Sequence, residues 1–288
     1  MSEEKRKAAK SSTLVSVVIN IVLATAQILI GLTSGSSALV ADGIHSISDL
    51  FSDFVVLFVN RHSCKEADAD HNYGHHRYET AASLFLGLSL LAVGSMMIWN
   101  AGYKIIFHPA AAQVQATALW VAIVALVSKE ILFRYMLKIA EKVRSSMLVA
   151  NAWHARSDAA SSLLVAIGIA GALMGYPVLD VVGALFVGLV IVKMGFEFSW
   201  DALHDLMDRA ISEEESIKIR NIIVETSKVR GCHDLRTRKM GDMIFVDVHI
   251  EVDGSLSVRE GHDIAAKVRE NVVSKLPVLD MMIHIDPV

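Results

Sequence analysis

Six long apolar stretches, at roughly 12–33, 38–60, 79–107, 114–137, 146–173 and 178–200, constrain this chain more than any other feature. Each runs to about 20 residues or more, which as a helix rising about 1.5 Å per residue crosses the roughly 30 Å hydrocarbon core of a bilayer. Lipid offers no partner to a backbone amide, so apolar segments of this length resolve as helices. The expected membrane part is therefore an all-α six-helix bundle. Composition fits a chain in two parts: 53% of the 288 residues are hydrophobic while 20% are charged, and the mean hydropathy is +0.46. The charged residues are enriched after Asp208, so residues 1–11 read as a polar N-terminal tail, 12–207 as the six-span domain and 208–288 as a soluble domain.

The breaks between spans are TSGSS at 33–37, the long polar run at 61–79, HPAAAQVQ at 108–115, KIAEKVR at 138–144 and GYP at 175–177. Lys5, Arg6, Lys7 and Lys10 precede the first span, and alternate loops carry Arg61, Lys65, Arg77, Lys138, Lys142 and Arg144; the remaining loops carry no Lys or Arg. Basic residues stay on the cytoplasmic side, so both termini and the soluble domain are expected there. The start, MSEEKRKAAK, leads into an apolar helix without an A-x-A-like cleavage site and reads as retained. Cys64 and Cys232 form no C-x-x-C pair, which argues against a disulfide framework or thiolate zinc knuckle and for reduced thiols. A net charge of −4 with no basic run among aromatics excludes a nucleic-acid partner.

The soluble part reads αββαβ, a compact α+β domain of ferredoxin or metallochaperone-like type. Residues 212–227 place Ile217, Ile219, Ile222 and Ile223 at helical spacing, and 233–240 form a strand. In 243–251, Ile244, Val246, Val248 and Ile250 alternate with Phe245, Asp247, His249 and Glu251, the pattern of a half-buried strand. SVREGHDIAAKVRENVVSKL is a second amphipathic helix and MMIHID a last strand.

Ionisable side chains inside spans cost several kcal/mol unless paired or hydrated, and so mark function. The second span holds His45 and Asp49, and the fifth His154 and Asp158, each pair an H-x-x-x-D. Residues four apart share one helix face, so each span offers an imidazole nitrogen beside a carboxylate. Two such faces meeting would supply two nitrogens and two oxygens, a tetrahedral set suited to Zn²⁺ or a similar borderline cation rather than to Mg²⁺ or Ca²⁺. The other reading is structural, with each His–Asp pair holding helices together. Asp42 and Asp53 flank the second-span pair as path-lining or pairing residues. Arg156 points roughly 200° away from His154 and is expected to pair with a carboxylate elsewhere. In the fourth span, Lys129, Glu130 and Arg134 lie in the cytoplasmic half, and Glu130 and Arg134 are spaced for an ordinary ion pair.

From GSSALVADGIHSISD through HNYGHHRYE, HDLRTR and HIDP, almost the whole chain resembles the cation diffusion facilitator family, in particular its bacterial ferrous-iron and zinc efflux members. The resemblance implies a transport site at His45, Asp49, His154 and Asp158. Close members often carry Asp where His45 stands, and the two-His form resembles the zinc-preferring pattern. The resemblance further implies a loop site at Asp68, His71 and His75, with His76 an additional imidazole. It maps a two-metal cytoplasmic site onto His233, His249, His262, His284 and Asp286. It aligns Arg77 and Asp208 with an interlocking charge pair between the third and sixth spans that serves as a dimer hinge.

The expected function is proton-coupled antiport of Zn²⁺ out of the cytoplasm, with Fe²⁺, Cd²⁺, Co²⁺ or Mn²⁺ as further cargo, by a homodimer in a bacterial inner membrane. Zn²⁺ would also be a structural or regulatory ion of the cytoplasmic domain. No catalytic residues are expected; a metallohydrolase would need an open metal position with a general base beside it. The alternative from another class is a membrane-anchored metal sensor or chaperone.

Overall fold

The computed structural model describes residues 3–63, 65, 67–107, 114–142, 146–241 and 243–288. All six long helices are present: α1 (Glu3–Ser34), α2 (Ser37–Ser63), α3 (Arg77–Phe107), α4 (Ala116–Lys142), α5 (Ser146–Leu173) and α6 (Val178–Leu206). Helix α1 begins well before the first apolar stretch, because the flanking Glu, Lys, Arg and Ala residues are themselves good helix formers, and α6 continues past Trp200 to Leu206. Among the described residues, Leu14–Ser34, Arg77–Phe107, Ala116–Lys142 and Val178–Leu206 are each long and apolar enough to cross a membrane.

By contact the chain divides into two units, Met1–Val55 with Leu86–Glu197, and Val56–Phe85 with Phe198–Val288. In the first, small residues set the packing. Ala38, Ala41, Ala118, Ala122, Ala166 and Ala184 are buried together with Leu39, Val165, Ile169 and Ile191. Lipid exerts no hydrophobic pressure between helices, so close backbone approach and dispersion contacts must hold them together. Two glycines show how close the approach is. A Cβ on Gly94 would stand 2.9 Å from the Val192 amide nitrogen, and one on Gly195 would stand 2.7 Å from that of Leu91. Here α3 and α6 touch backbone to backbone, as the glycine- and serine-rich sequence AASLFLGLSLLAVGS allows. The start of α2 is capped from α6: Asp180 accepts from the Ser36 hydroxyl at 2.5 Å and from the Ser37 amide at 2.6 Å. A carboxylate there satisfies orphan amides and favours the positive end of the helix. Outward-facing Trp99, Ile106 and Trp120 are 75%, 70% and 69% exposed, as lipid-facing side chains must be.

The soluble part follows the expected order: α7 (Glu213–Val224), β1 (Gly231–Met240), β2 (Met243–Val252), α8 (Val258–Lys275) and β3 (Val278–Pro287). Both helices open with a capping box, Ser212 with Glu215 and Ser257 with Glu260, each satisfying two otherwise unpaired amides. The Ser212 hydrogen bond holds the Glu215 carboxyl below its ordinary range. The sheet order is β1-β2-β3, with β1 antiparallel and β3 parallel to β2. Ile244, Val246, Val248 and Ile250 are buried with Ile219 and Ile223 of α7 and with Ile264, Val268 and Val272 of α8. The period-two alternation thus puts every helix on one face of the sheet and leaves His249 and Glu251 on the other.

Candidate metal centres

Three groups of ligand-type side chains converge among the described residues. The first lies within the helical unit. His45 of α2, 2% exposed, meets Asp49 one turn on and Asp158 of α5, each offering a ligand atom within 4.8 Å of the others. His45 Nδ1 stands 3.5 Å from Asp49 Oδ2, yet it is buried and makes no hydrogen bond among the described residues. A buried imidazole nitrogen without a partner costs about 1–3 kcal/mol, and a cation between the two carboxylates would satisfy it. His154 belongs to α5 four residues before Asp158, one turn away on the same helix; its side chain, like that of Asp53, lies outside the described residues.

Beside this group Asp42, expected to line the path or to pair, takes the second role. The Asp42 carboxylate, fully buried, faces the Lys129 ammonium of α4 at 3.3 Å. Ser162 of α5 donates to Asp42 Oδ2 at 2.8 Å and accepts from Lys129 at 2.7 Å, while the Gln27 amide of α1 also donates to Asp42 Oδ2. Glu130 and Arg134, near Lys129 in sequence, form the expected ion pair, at 2.8 Å, and Lys129 stands outside it. A signal was available: a lysine in a span whose neighbours already pair with each other needs a carboxylate of its own. Arg156 departs from expectation too. Its described contacts are aromatic, with the guanidinium 5.0 Å from the ring centres of Phe133 and Trp153. At a helix surface, two aromatic faces take up the guanidinium charge where a carboxylate was expected.

The second group is the loop before α3. Asp68 Oδ1 accepts from the amides of Asp70 and His71 at 3.1 and 2.9 Å, an Asx-type turn. Its other oxygen pairs with Lys65 at 2.8 Å. The lysine bond, followed by the backbone amides, holds the Asp68 carboxyl well below the usual carboxylate range. His75, 7% exposed, places Nε2 at 3.4 Å from Asp68 Oδ2, and His71 Nδ1 lies 3.6 Å from Oδ1. Gly74, at φ +82°, makes the turn that brings the two rings to 4.6 Å. His76 stands outside this group of three.

The third group follows from strand register. His233, His249 and His284 are direct cross-strand neighbours, forming one row across β1, β2 and β3 on the face away from the helices. Asp286, two residues beyond His284, returns to the same face. Its Oδ2 lies 3.0 Å from His249 Nδ1 and 3.1 Å from His233 Nε2, and its Oδ1 lies 3.4 Å from His284 Nε2. One carboxylate thus faces three imidazoles with two oxygens, a donor set that fits one or two borderline divalent ions. The His249 hydrogen bond, then the charges of the histidines, keep the Asp286 carboxyl below its ordinary range. Asp234 is an additional acidic group beside His233 and His249. His262 does not join the row. It sits on α8, which covers the opposite face, in a groove with Arg269, Glu270 and Met282. Cys232 is free and burial raises its thiol pKa, while Cys64 lies outside the described residues.

Arg77, at the start of α3, pairs with Asp208 just beyond α6 and donates to the Leu206 carbonyl at 3.3 Å.

A family model for the cation efflux transmembrane domain matches residues 13–207, and one for the cation efflux protein cytoplasmic domain matches residues 211–288. The chain belongs to the cation efflux family. It is thus a multi-pass membrane transporter of divalent cations with a cytoplasmic α+β domain. Metal tolerance protein C1 of Arabidopsis thaliana is 36% identical over 280 residues, covering 92% of this chain and 59% of the plant protein. The manganese efflux system protein MneS of Bacillus subtilis is 32% identical over 284 residues, covering 99% of this chain and 97% of the relative. A crystal structure of the cytosolic domain of a cation diffusion facilitator family protein is 28% identical, covering 26% of this chain and 90% of that one, with a TM-score of 0.25.

Proposed function

We propose that this cation efflux protein exports Zn²⁺ from the cytoplasm in exchange for protons, by alternating access around a site made of His45, Asp49, His154 and Asp158. The observation that carries this reading is the convergence of His45, Asp49 and Asp158 from two spans, with a buried imidazole nitrogen that makes no hydrogen bond among the described residues. Two imidazoles with two carboxylates favour a borderline ion over a hard one. Metal uptake needs neutral imidazole and ionised carboxylate, so release and protonation are linked, and a proton gradient can drive the cycle outward. The tight α3–α6 seam suits rigid-body rocking of helices about a midplane site.

The cytoplasmic row of His233, His249, His284 and Asp286 would hold Zn²⁺ as a structural or regulatory ion in a homodimer, with His262 standing apart on the helix-covered face. The Asp68, His71 and His75 loop would form a further site. Arg77 and Asp208 would brace the hinge of the dimer. Both termini face the cytoplasm in this reading, and the membrane is a bacterial inner membrane. Mn²⁺ is the competing cargo, favoured by the name of the Bacillus relative; Fe²⁺, Cd²⁺ and Co²⁺ are further candidates. An intramembrane ligand group of this kind has no use in a membrane-anchored sensor.

The test is metal flux into proteoliposomes under an imposed pH gradient, comparing wild type with Asp49→Ala and Asp158→Ala. Zinc flux that both variants lose supports the site; flux that both retain removes it; and absence of flux in the wild type favours the sensor.

A further inference from the structure

The Asp42–Lys129 pair lies outside the proposed ligand set, although Asp42 is placed to belong to it. Asp42, His45 and Asp49 are spaced by three and four residues, so all three occupy one face of α2, with Asp42 about 4.5 Å along the axis from His45. Both Asp42 oxygens are occupied: Oδ1 by Lys129, Oδ2 by Ser162 and the Gln27 amide. These partners come from α4, α5 and α1, so every bond that Asp42 makes ties it to another helix. Lys129 itself is 3% exposed and, among the described residues, donates to Asp42 and Ser162.

We propose that Lys129 is a positioning residue that sets cation specificity: its ammonium occupies Asp42, keeps that carboxylate out of the metal's coordination shell and so limits the site to two carboxylates. The inference rests on the transport-site reading above. A buried ionised carboxylate is costly unless it is paired or hydrogen-bonded, and here the pairing cation, the Lys129 ammonium, is internal and permanent. With it gone, the nearest positive charge is the divalent ion one turn along the same helix face, and a third carboxylate would move the site towards the oxygen-rich shells that suit Mn²⁺. Ser162 helps to fix the arrangement, since it bridges Asp42 and Lys129 from the helix that carries Asp158. Keeping net ligand charge at two also matches one divalent ion, so the cargo is neutralised without being trapped.

The experiment is competitive flux of Zn²⁺ against Mn²⁺ in proteoliposomes of the full chain, for wild type, Lys129→Met, Asp42→Asn and the double variant. Lys129→Met is expected to shift the Mn²⁺-to-Zn²⁺ flux ratio at least tenfold towards Mn²⁺, and adding Asp42→Asn should return the ratio to that of wild type. A Lys129→Met protein that transports with an unchanged ratio overturns the inference, because a merely structural lysine would lower both fluxes together. If Lys129→Met does not fold, Asp42→Asn decides. Exposing the ammonium's charge beside the site should raise the KM for Zn²⁺ at least tenfold with the maximal rate retained, whereas a lowered maximal rate at unchanged KM overturns it. The site reading fails separately, through retained flux in Asp49→Ala, so the two failures are distinguishable.

Discussion

Arg77 and Asp208 join the first turn of α3 to the end of α6, and Asp208 pays for the position with a left-handed backbone at φ 60°. The Arg77 guanidinium also reaches the Leu206 carbonyl, one of the unsatisfied acceptors at that helix end. Arg77 and Asp208 side chains are 43% and 50% exposed, so the ion pair itself is worth no more than about 1 kcal/mol. Arg77→Ala should therefore barely move the melting temperature in detergent, while amide exchange over residues 204–209 accelerates. A large drop in melting temperature would show that the pair carries more than an exposed contact can. Asp208→Gly separates the two terms, since glycine relieves the backbone while losing the charge.

His45→Asp should turn the transport site towards harder cations. It replaces one nitrogen with an oxygen at the buried end of the group, so flux of Mn²⁺ relative to Zn²⁺ should rise several-fold. An unchanged ratio in a competitive flux measurement would mean that His45 does not touch the cargo.

The cytoplasmic row should lose metal on acidification. The Asp286 carboxyl lies below its ordinary value, with the His249 bond as first cause. It therefore stays ionised as pH falls through the range where imidazoles protonate, and whatever stability its ionised form adds is lost only below the ordinary carboxylate range. Metal and protons compete for the same ligand atoms, so Zn²⁺ affinity should fall as the pH is lowered. Asp286→Asn should weaken binding at every pH. Chelator competition at the cytoplasmic domain reads it; an affinity unchanged by Asp286→Asn would contradict the assignment.

Gly195→Ala should be disruptive and Gly102→Ala silent. The first places a methyl 2.7 Å from the Leu91 amide nitrogen and 2.8 Å from the Gly87 carbonyl, both backbone atoms; the second meets nothing within 4 Å. Thermal stability in detergent should drop only for Gly195→Ala, with flux falling alongside it if the α3–α6 seam has to move as a unit.

Much of this was legible in the sequence because it rests on periodicity. Spans declare themselves by length, and the alternation of Ile244, Val246, Val248 and Ile250 declares both the strand and its buried face. The H-x-x-x-D spacing likewise forecasts that His45 and Asp49 share a helix face. What spacing does not carry is the partner across helices. Lys129 meets Asp42 across 87 residues; local spacing shows that it needs a carboxylate but not which one. Arg156 could be turned away from His154 by helix geometry, but its stacking on Phe133 depends on how α4 and α5 cross. His262 shows a similar limit: its type matched the other ligands, while the face of the sheet on which it falls was fixed by the packing of α8.

The mixed pairing of the sheet has a consequence in time. His233 and His249 are brought together by a local hairpin, whereas His284 and Asp286 join them only after α8 has crossed and β3 has docked in parallel. Hairpins close in about microseconds, and non-local strand pairing is slower because the loop must be ordered first. Half of the cluster can therefore form before the other half arrives. A Zn²⁺ ion caught by the hairpin histidines would wait as a template for the last strand, making the order of assembly, and the speed of the domain's maturation, sensitive to free metal.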